Sequence, residues 1–156
     1  MAFKRVLIAN RGEIALRILR TLRDMGIEAA IIHGREDRLS LPVRFSDIAY
    51  ANYKQNPLDT YLDIESVIHA AKEMGCDAVH PGYGFLAENA TFVRRLNEEG
   101  IAFIGPSAEV ISLLGDKIKA RAAMEAAGLP TAKGSSESIS DANVASELAE
   151  EIGYPV

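Results

Sequence analysis

The chain has 156 residues, 48% of them hydrophobic, a formal net charge of −5 and one cysteine. That length can bury one real core and begin a second unit, and no apolar run approaches the roughly 20 residues that cross a bilayer. The acidic balance argues against a general nucleic-acid binder, which needs a basic surface to neutralise phosphates, and a lone Cys76 cannot close an internal disulfide. Cys76 is read as a small buried side chain in a reducing compartment. The first residues, Met1-Ala2-Phe3-Lys4-Arg5, run into a strand-like stretch with neither a signal peptide nor a transit segment, so a soluble, cytoplasmic protein is expected.

In chain order, residues 4–9 read as a buried strand, 13–25 as a helix and 27–33 as a second strand, a βαβ unit. Residues 34–41, charged at Arg35-Glu36-Asp37-Arg38, read as a mobile loop; 47–51 form a short strand, and Asn56-Pro57 breaks the chain again. Leu62, Val67, Ile68 and Ala71 have mainly helical spacing, which predicts a helix over 61–74 ending before Gly75. A strand over 77–80, a helix over 88–99 and a strand over 101–104 follow. Ser107 is a candidate cap for a helix over 108–114, and Asp116 for one over 117–127. Residues 131–140 are small and polar, a connection between domains; 141–152 resume as a helix, and 154–156 read as the start of a strand. The alternation predicts an α/β fold, a Rossmann-like parallel sheet flanked by helices.

Four places can carry chemistry. In Ile8-Ala9-Asn10-Arg11-Gly12-Glu13 a strand ends in a tight turn at a helix N-terminus, where free backbone N–H groups can cradle a phosphate. A dinucleotide fingerprint needs three glycines and this turn has only Gly12, so NAD binding is disfavoured; local polar contacts by Arg11 and Glu13 are the other reading. On the following helix Arg17, Arg20 and Asp24 share one stripe, either solvated or paired across a two-fold axis. His80-Pro81-Gly82-Tyr83-Gly84-Phe85-Leu86-Ala87-Glu88-Asn89 begins at the carboxyl end of a strand, where ligands gather; the glycines permit close backbone approach and Tyr83 offers a hydroxyl and an aromatic face. It is either a ligand loop or an inert, conformationally demanding turn, and His80 alone is read as structural. In Leu113-Leu114-Gly115-Asp116-Lys117 a lysine sits in a first helical turn, opposed by the helix dipole. A nucleotide phosphate would relieve that conflict, and so would a side chain bent into water. No His, Cys, Asp and Glu have metal-ligand spacing, and no nucleophile–base pair is inferred.

Ile8-Ala9-Asn10-Arg11-Gly12-Glu13-Ile14-Ala15, the segment 80–89, Phe103-Ile104-Gly105-Pro106-Ser107 and Gly115-Asp116-Lys117, in this order and spacing, resemble the biotin carboxylase family. The resemblance covers essentially the whole chain. It implies an ATP-grasp enzyme with a Rossmann-like N-terminal domain, here residues 1–127, followed over 128–156 by a linker and the beginning of the ATP-grasp lid. It implies that Lys117 contacts ATP phosphate, that Tyr83 and Gly84 line the biotin and bicarbonate side of the cleft, and that Arg17, Arg20 and Asp24 lie on a dimer-interface helix. Asp24 is shorter than the glutamate expected there. Two further departures, His33-Gly34-Arg35-Glu36-Asp37-Arg38 in place of a Tyr-Ser start and Ile48 in place of an acidic residue, leave the motifs untouched.

The implied activity is that of a ligase: ATP, with Mg2+, phosphorylates bicarbonate to carboxyphosphate, and biotin on a biotin carboxyl carrier protein is carboxylated for a carboxyltransferase component. Acetyl-CoA carboxylase of fatty acid biosynthesis and the propionyl-CoA, methylcrotonyl-CoA and pyruvate carboxylases share this region. The magnesium carboxylates, the glycine-rich lid and the catalytic arginine lie beyond Val156 in the family, so no catalytic residue is assigned and the chain alone is expected to be inactive. A non-catalytic dimerisation or assembly module and a dinucleotide-binding Rossmann domain are the competing readings.

Overall fold

A computed structural model describes residues 3–132, 134–135 and 139–154. Five strands, β1 (Arg5–Ile8), β2 (Glu28–His33), β3 (Ile48–Ala51), β4 (Ala78–His80) and β5 (Ala102–Phe103), form one sheet in the order β3-β2-β1-β4-β5, every neighbouring pair parallel. The α/β class is as the sequence predicts. Parallel neighbours need crossover connections, and these bury both faces of the sheet, which is why β1 and β2 are apolar without alternation. Alternate residues point to opposite faces. Val6, Ile8, Ala29 and Ile31 pack with Ala15, Ile18, Leu19 and Leu22 of α1 (Gly12–Asp24). Leu7, Ala30, Ile32 and Val79 face the other way, against Val67, Ile68 and Ala71 of one helix and Phe92 and Leu96 of another. Burying a side chain the size of Phe92, wholly shielded from solvent, contributes about 2–3 kcal/mol.

Several elements depart from the sequence reading. The charged loop after β2 ends in a short helix, α2 (Leu41–Phe45), with Pro42 in its first turn, where a missing N–H costs nothing. The single helix expected over 61–74 is two, α3 (Asp59–Leu62) and α4 (Ile64–Glu73). Asp63 separates them: its backbone is extended and its carboxylate accepts the Ser66 N–H at 3.2 Å, so it caps α4. The helix expected from residue 88 is α5 (Ala90–Glu98), set back because Asn89 caps it by accepting the Phe92 N–H at 3.0 Å. Cys76 is buried, and burial pushes its thiol up to about 11, the inert state expected of it.

α6 (Ala108–Leu114), α7 (Lys117–Ala126) and α8 (Ala142–Ile152) complete the elements. Asp116 and Asp141 cap α7 and α8, each accepting two backbone N–H groups. The described residues of 131–140 carry no regular structure; Tyr154 is in no strand, and the rest of the strand expected over 154–156 lies outside the described residues. The chain divides into two units, Met1–Ile111 and Ser112–Val156. The first holds the sheet, and in the second α7 and α8 bury none of their described residues.

Candidate functional site at the β1–β4 crevice

β2 and β3 lie on one side of β1 and β4 and β5 on the other, so the connections diverge at β1 and β4. A crevice at such a switch point, beyond the strands' carboxyl ends, is where open α/β sheets place ligands. The Ala9 N–H donates to the His80 carbonyl at 3.0 Å, and just beyond it Asn10, 2% exposed, fastens the two strand ends. Its Nδ2 donates to the carbonyls of Pro81 and Tyr83, both at 2.8 Å, and its Oδ1 accepts the Arg11 N–H at 2.8 Å. The Asn10 amide thus uses both N–H groups and its oxygen, leaving none of its own polar atoms unpaired.

The 80–85 segment is bent tightly around this amide. Gly82, Gly84 and Phe85 have φ of 67°, 66° and 43°. A Cβ on Gly82 would stand 2.6 Å from Asn10 Nδ2, whereas one on Gly84 would meet nothing within 4 Å. Gly82 is therefore required by close approach and Gly84 by backbone conformation alone. Phe85, a left-handed residue that costs about 1–2 kcal/mol, is held by stacking on Tyr61, ring centroids 5.1 Å apart. The Gly82 N–H donates to His80 Nδ1 at 3.0 Å, and burial lowers the His80 pKa, so the imidazole is a neutral acceptor shaping the turn.

Tyr83 is 63% exposed, and its hydroxyl donates to Glu13 Oε1 at 2.5 Å. The adjacent carboxylate disfavours the phenolate and raises the Tyr83 pKa. Glu13 is in the first turn of α1, where the helix dipole favours an anion. Arg11 reaches away from the crevice: its Nε and Nη2 donate to the two oxygens of Asp37, each at 2.7 Å, while the Tyr61 hydroxyl donates to Asp37 at 2.7 Å. The Arg11 hydrogen bond, more than the Tyr61 one, holds the Asp37 carboxyl below its ordinary value of 3.8 against the opposing effect of burial. Asp37, in a run of charges that suggests solvent exposure, is in fact buried.

These contacts lock the turn at the head of α1 to the loop after β2, and they give a pH signature. A depressed carboxylate stabilises the fold above its ordinary value, and that stabilisation is lost as pH falls through the folded value. Asp37→Asn is expected to lower stability at neutral pH by about 1–2 kcal/mol, and the deficit relative to wild type should close as pH falls below 3.8. Urea melts at several pH values check this; a deficit independent of pH contradicts it.

The contacts of Arg11 and Glu13 are not local: their partners lie 26 and 70 residues away. Tyr83 and Gly84 stand together at the crevice with Asn10 and Glu13, as a hydrogen-bonding surface. Arg17, Arg20 and Asp24 are exposed on α1, and Arg17 also edges an apolar groove of about 350 Å3 with Phe3, Ile14, Ile18, Met25 and Ile104. Lys117 belongs to the second unit, as the exposed first residue of α7. Asp116 accepts the N–H groups of Ile118 and Lys119 at 3.0 and 3.1 Å and pairs at 3.6 Å with the Lys119 ammonium, not with Lys117. Among the described residues no three His, Cys, Asp or Glu could together hold a metal, and no helix is long and apolar enough to cross a membrane.

Asn10, Asp37 and Tyr61 were not singled out by sequence reasoning for the contacts they make. Asn10 alone had a signal, its place between the strand and Gly12 in a motif otherwise read for its glycine.

Comparison with known proteins agrees with this fold. Residues 2–111 match the family described as biotin carboxylase, N-terminal domain, and residues 116–156 match the carbamoyl-phosphate synthase L chain, ATP binding domain. The chain is 47% identical over 154 residues to the 2-oxoglutarate carboxylase small subunit of Hydrogenobacter thermophilus, covering 99% of this chain and 32% of that one. It is 48% identical to a biotin carboxylase of Halalkalibacterium halodurans, covering 99% of this chain and 34% of the relative. Among solved structures, the biotin carboxylase domain dimer of the Hydrogenobacter enzyme with MgADP and bicarbonate superposes with a TM-score of 0.93 at 46% identity, covering 99% of this chain and 34% of that chain. The biotin carboxylase of Campylobacter jejuni in an ATP-type complex does so with a TM-score of 0.93 at 44% identity, again over 99% of this chain and 34% of the other. The chain thus spans about a third of the length of these relatives. With 110 consecutive residues matched and the predicted sheet in place, the chain belongs to the biotin carboxylase family, whose N-terminal domain it carries.

Proposed function

We propose that this chain forms the N-terminal part of a biotin carboxylase, a ligase that uses ATP and bicarbonate to carboxylate biotin on a carrier protein by way of carboxyphosphate. The observation that carries this reading is the likeness to biotin carboxylases along 99% of the chain. Residues 1–127 act as the N-terminal domain and 128–156 lead into the ATP-grasp lid. Tyr83 and Gly84, on the crevice surface, form part of the wall facing biotin and bicarbonate. Lys117 contacts ATP phosphate, which a cation in a first helical turn, without an ion pair among the described residues, is free to do. When bound, magnesium would neutralise phosphate charge; the described residues hold no metal-ligand cluster, so none is assigned to it.

The protein works with a carboxyltransferase component, which sets the final acceptor; the relatives include subunits of 2-oxoglutarate and pyruvate carboxylases as well as unassigned biotin carboxylases. A cytoplasmic setting suits the lone buried thiol of Cys76. The complete protein should cleave ATP in a reaction requiring bicarbonate and accelerated by free biotin, whereas the 156-residue chain alone should not. Turnover by this chain alone would refute its proposed dependence on the rest of the enzyme, and saturable NAD binding would favour a dinucleotide-binding domain instead.

Arg17, Arg20 and Asp24 face solvent on one side of α1, and the Hydrogenobacter domain is a dimer, which supports a homodimer built on this face. Arg20→Glu places a like charge against its counterpart and is expected to weaken dimerisation of the complete protein about tenfold or more. Sedimentation equilibrium reads the effect, and an unchanged dimer constant would remove Arg20 from the interface.

A further inference from the structure

We propose that Glu13 is a positioning residue that fixes the polarity of Tyr83, making the phenol oxygen a hydrogen-bond acceptor toward the N–H of a cyclic urea such as the biotin ring. The inference rests on the placement of Tyr83 on the biotin side of the crevice. A tyrosine hydroxyl has one hydrogen and can donate once. That hydrogen is given to Glu13 Oε1 at 2.5 Å, so what Tyr83 offers outward is a lone pair. The residue is 63% exposed and available to a ligand, while its backbone is fixed by the Asn10 amide through the Tyr83 carbonyl at 2.8 Å.

Glu13 is fixed as well. It lies in the first turn of α1, two residues beyond Arg11, whose paired bonds to Asp37 hold that turn from the opposite side. An ionised carboxylate can only accept, so the direction of the Glu13–Tyr83 bond cannot reverse. A glutamine could turn its amide and donate to the phenol, freeing the tyrosine hydrogen to point outward and meet the urea N–H donor to donor.

The test compares Glu13→Gln, Glu13→Asp, Tyr83→Phe and the Glu13→Gln/Tyr83→Phe double variant in the complete enzyme, with free biotin as substrate. Each single variant should raise the KM for biotin about two- to fivefold, as for one solvent-open hydrogen bond, with the effect falling on KM rather than kcat. The double variant should be no worse than Tyr83→Phe, because Glu13 acts only through the phenol. Glu13→Asp keeps the charge but is a methylene too short, and so guards against a general charge effect.

Ultraviolet titration of the phenols supplies a readout independent of turnover. In the complete enzyme, the transition that Tyr83→Phe removes should move to lower pH in Glu13→Gln. A wild-type KM for biotin in both Glu13 variants alongside an impaired Tyr83→Phe overturns the role of Glu13, as does an additive double variant. A wild-type KM in Tyr83→Phe overturns instead the placement of Tyr83 on the biotin side.

Discussion

Lys117→Ala in the complete enzyme is expected to raise the KM for ATP by roughly ten- to a hundredfold, the range lost when a charged hydrogen bond to phosphate is removed. The same change should leave the fold intact. Lys117 is exposed and its helix is capped by Asp116, whose carboxylate binds the N–H groups of Ile118 and Lys119. Removing a cation from a first helical turn even relieves an unfavourable dipole interaction of about 0.3–1 kcal/mol. A thermal melt of the variant should therefore match or slightly exceed wild type. The combination of a stable fold and weakened ATP is specific to a ligand role; an unchanged KM for ATP returns Lys117 to the solvated side chain that its exposure also permits.

Gly82→Ala is expected to be the most damaging small substitution at the crevice, and Gly84→Ala a much milder one, although both glycines have φ near 66°. The left-handed backbone costs alanine about 1–2 kcal/mol at either site. At position 82 the new methyl also falls 2.6 Å from Asn10 Nδ2 and 3.1 Å from Asn10 Cγ, so the amide must move. Moving it breaks its bonds to the carbonyls of Pro81 and Tyr83, and each unsatisfied group costs about 1–3 kcal/mol. Gly82→Ala should lose roughly 3–8 kcal/mol in all, with a weakened response to biotin, and Gly84→Ala roughly 1–2 kcal/mol. Denaturant melts decide it, and equal losses would mean that the Asn10 contact is not what demands glycine at position 82.

The fold was legible where burial dictates sequence. β1 and β2 are apolar on both faces because helices cover both, and residues 12–24 show their inward stripe at helical spacing. Legibility failed where one side chain overrides a periodic pattern. Asp63 interrupts residues whose spacing suits a single helix: its extended backbone ends α3, and its carboxylate then accepts the Ser66 N–H that the break leaves without an intrahelical partner. α2 was hidden behind the charges of residues 35–38, and no stripe in five residues is long enough to announce a helix.

The site was legible as segments but not as contacts. The glycines around Tyr83 pointed to an unusual turn, and strand-end placement pointed to a ligand. Nothing near Asn10 or Glu13 in sequence indicates a partner 70 or more residues away. Nor does Asp37 look buried, because the guanidinium that makes its burial tolerable comes from 26 residues upstream. Long-range polar pairing is fixed by strand order, and the β1–β4 adjacency that creates the crevice is a property of topology rather than of any local pattern.

The most direct measurement is transfer of label from radiolabelled bicarbonate to free biotin by the complete protein, with ATP and magnesium. ATP-dependent, acid-labile label on biotin, weakened by Lys117→Ala and by Tyr83→Phe, is the predicted result. Absence of labelled biotin from a folded, ATP-binding protein would contradict the assignment of this chain to a working biotin carboxylase.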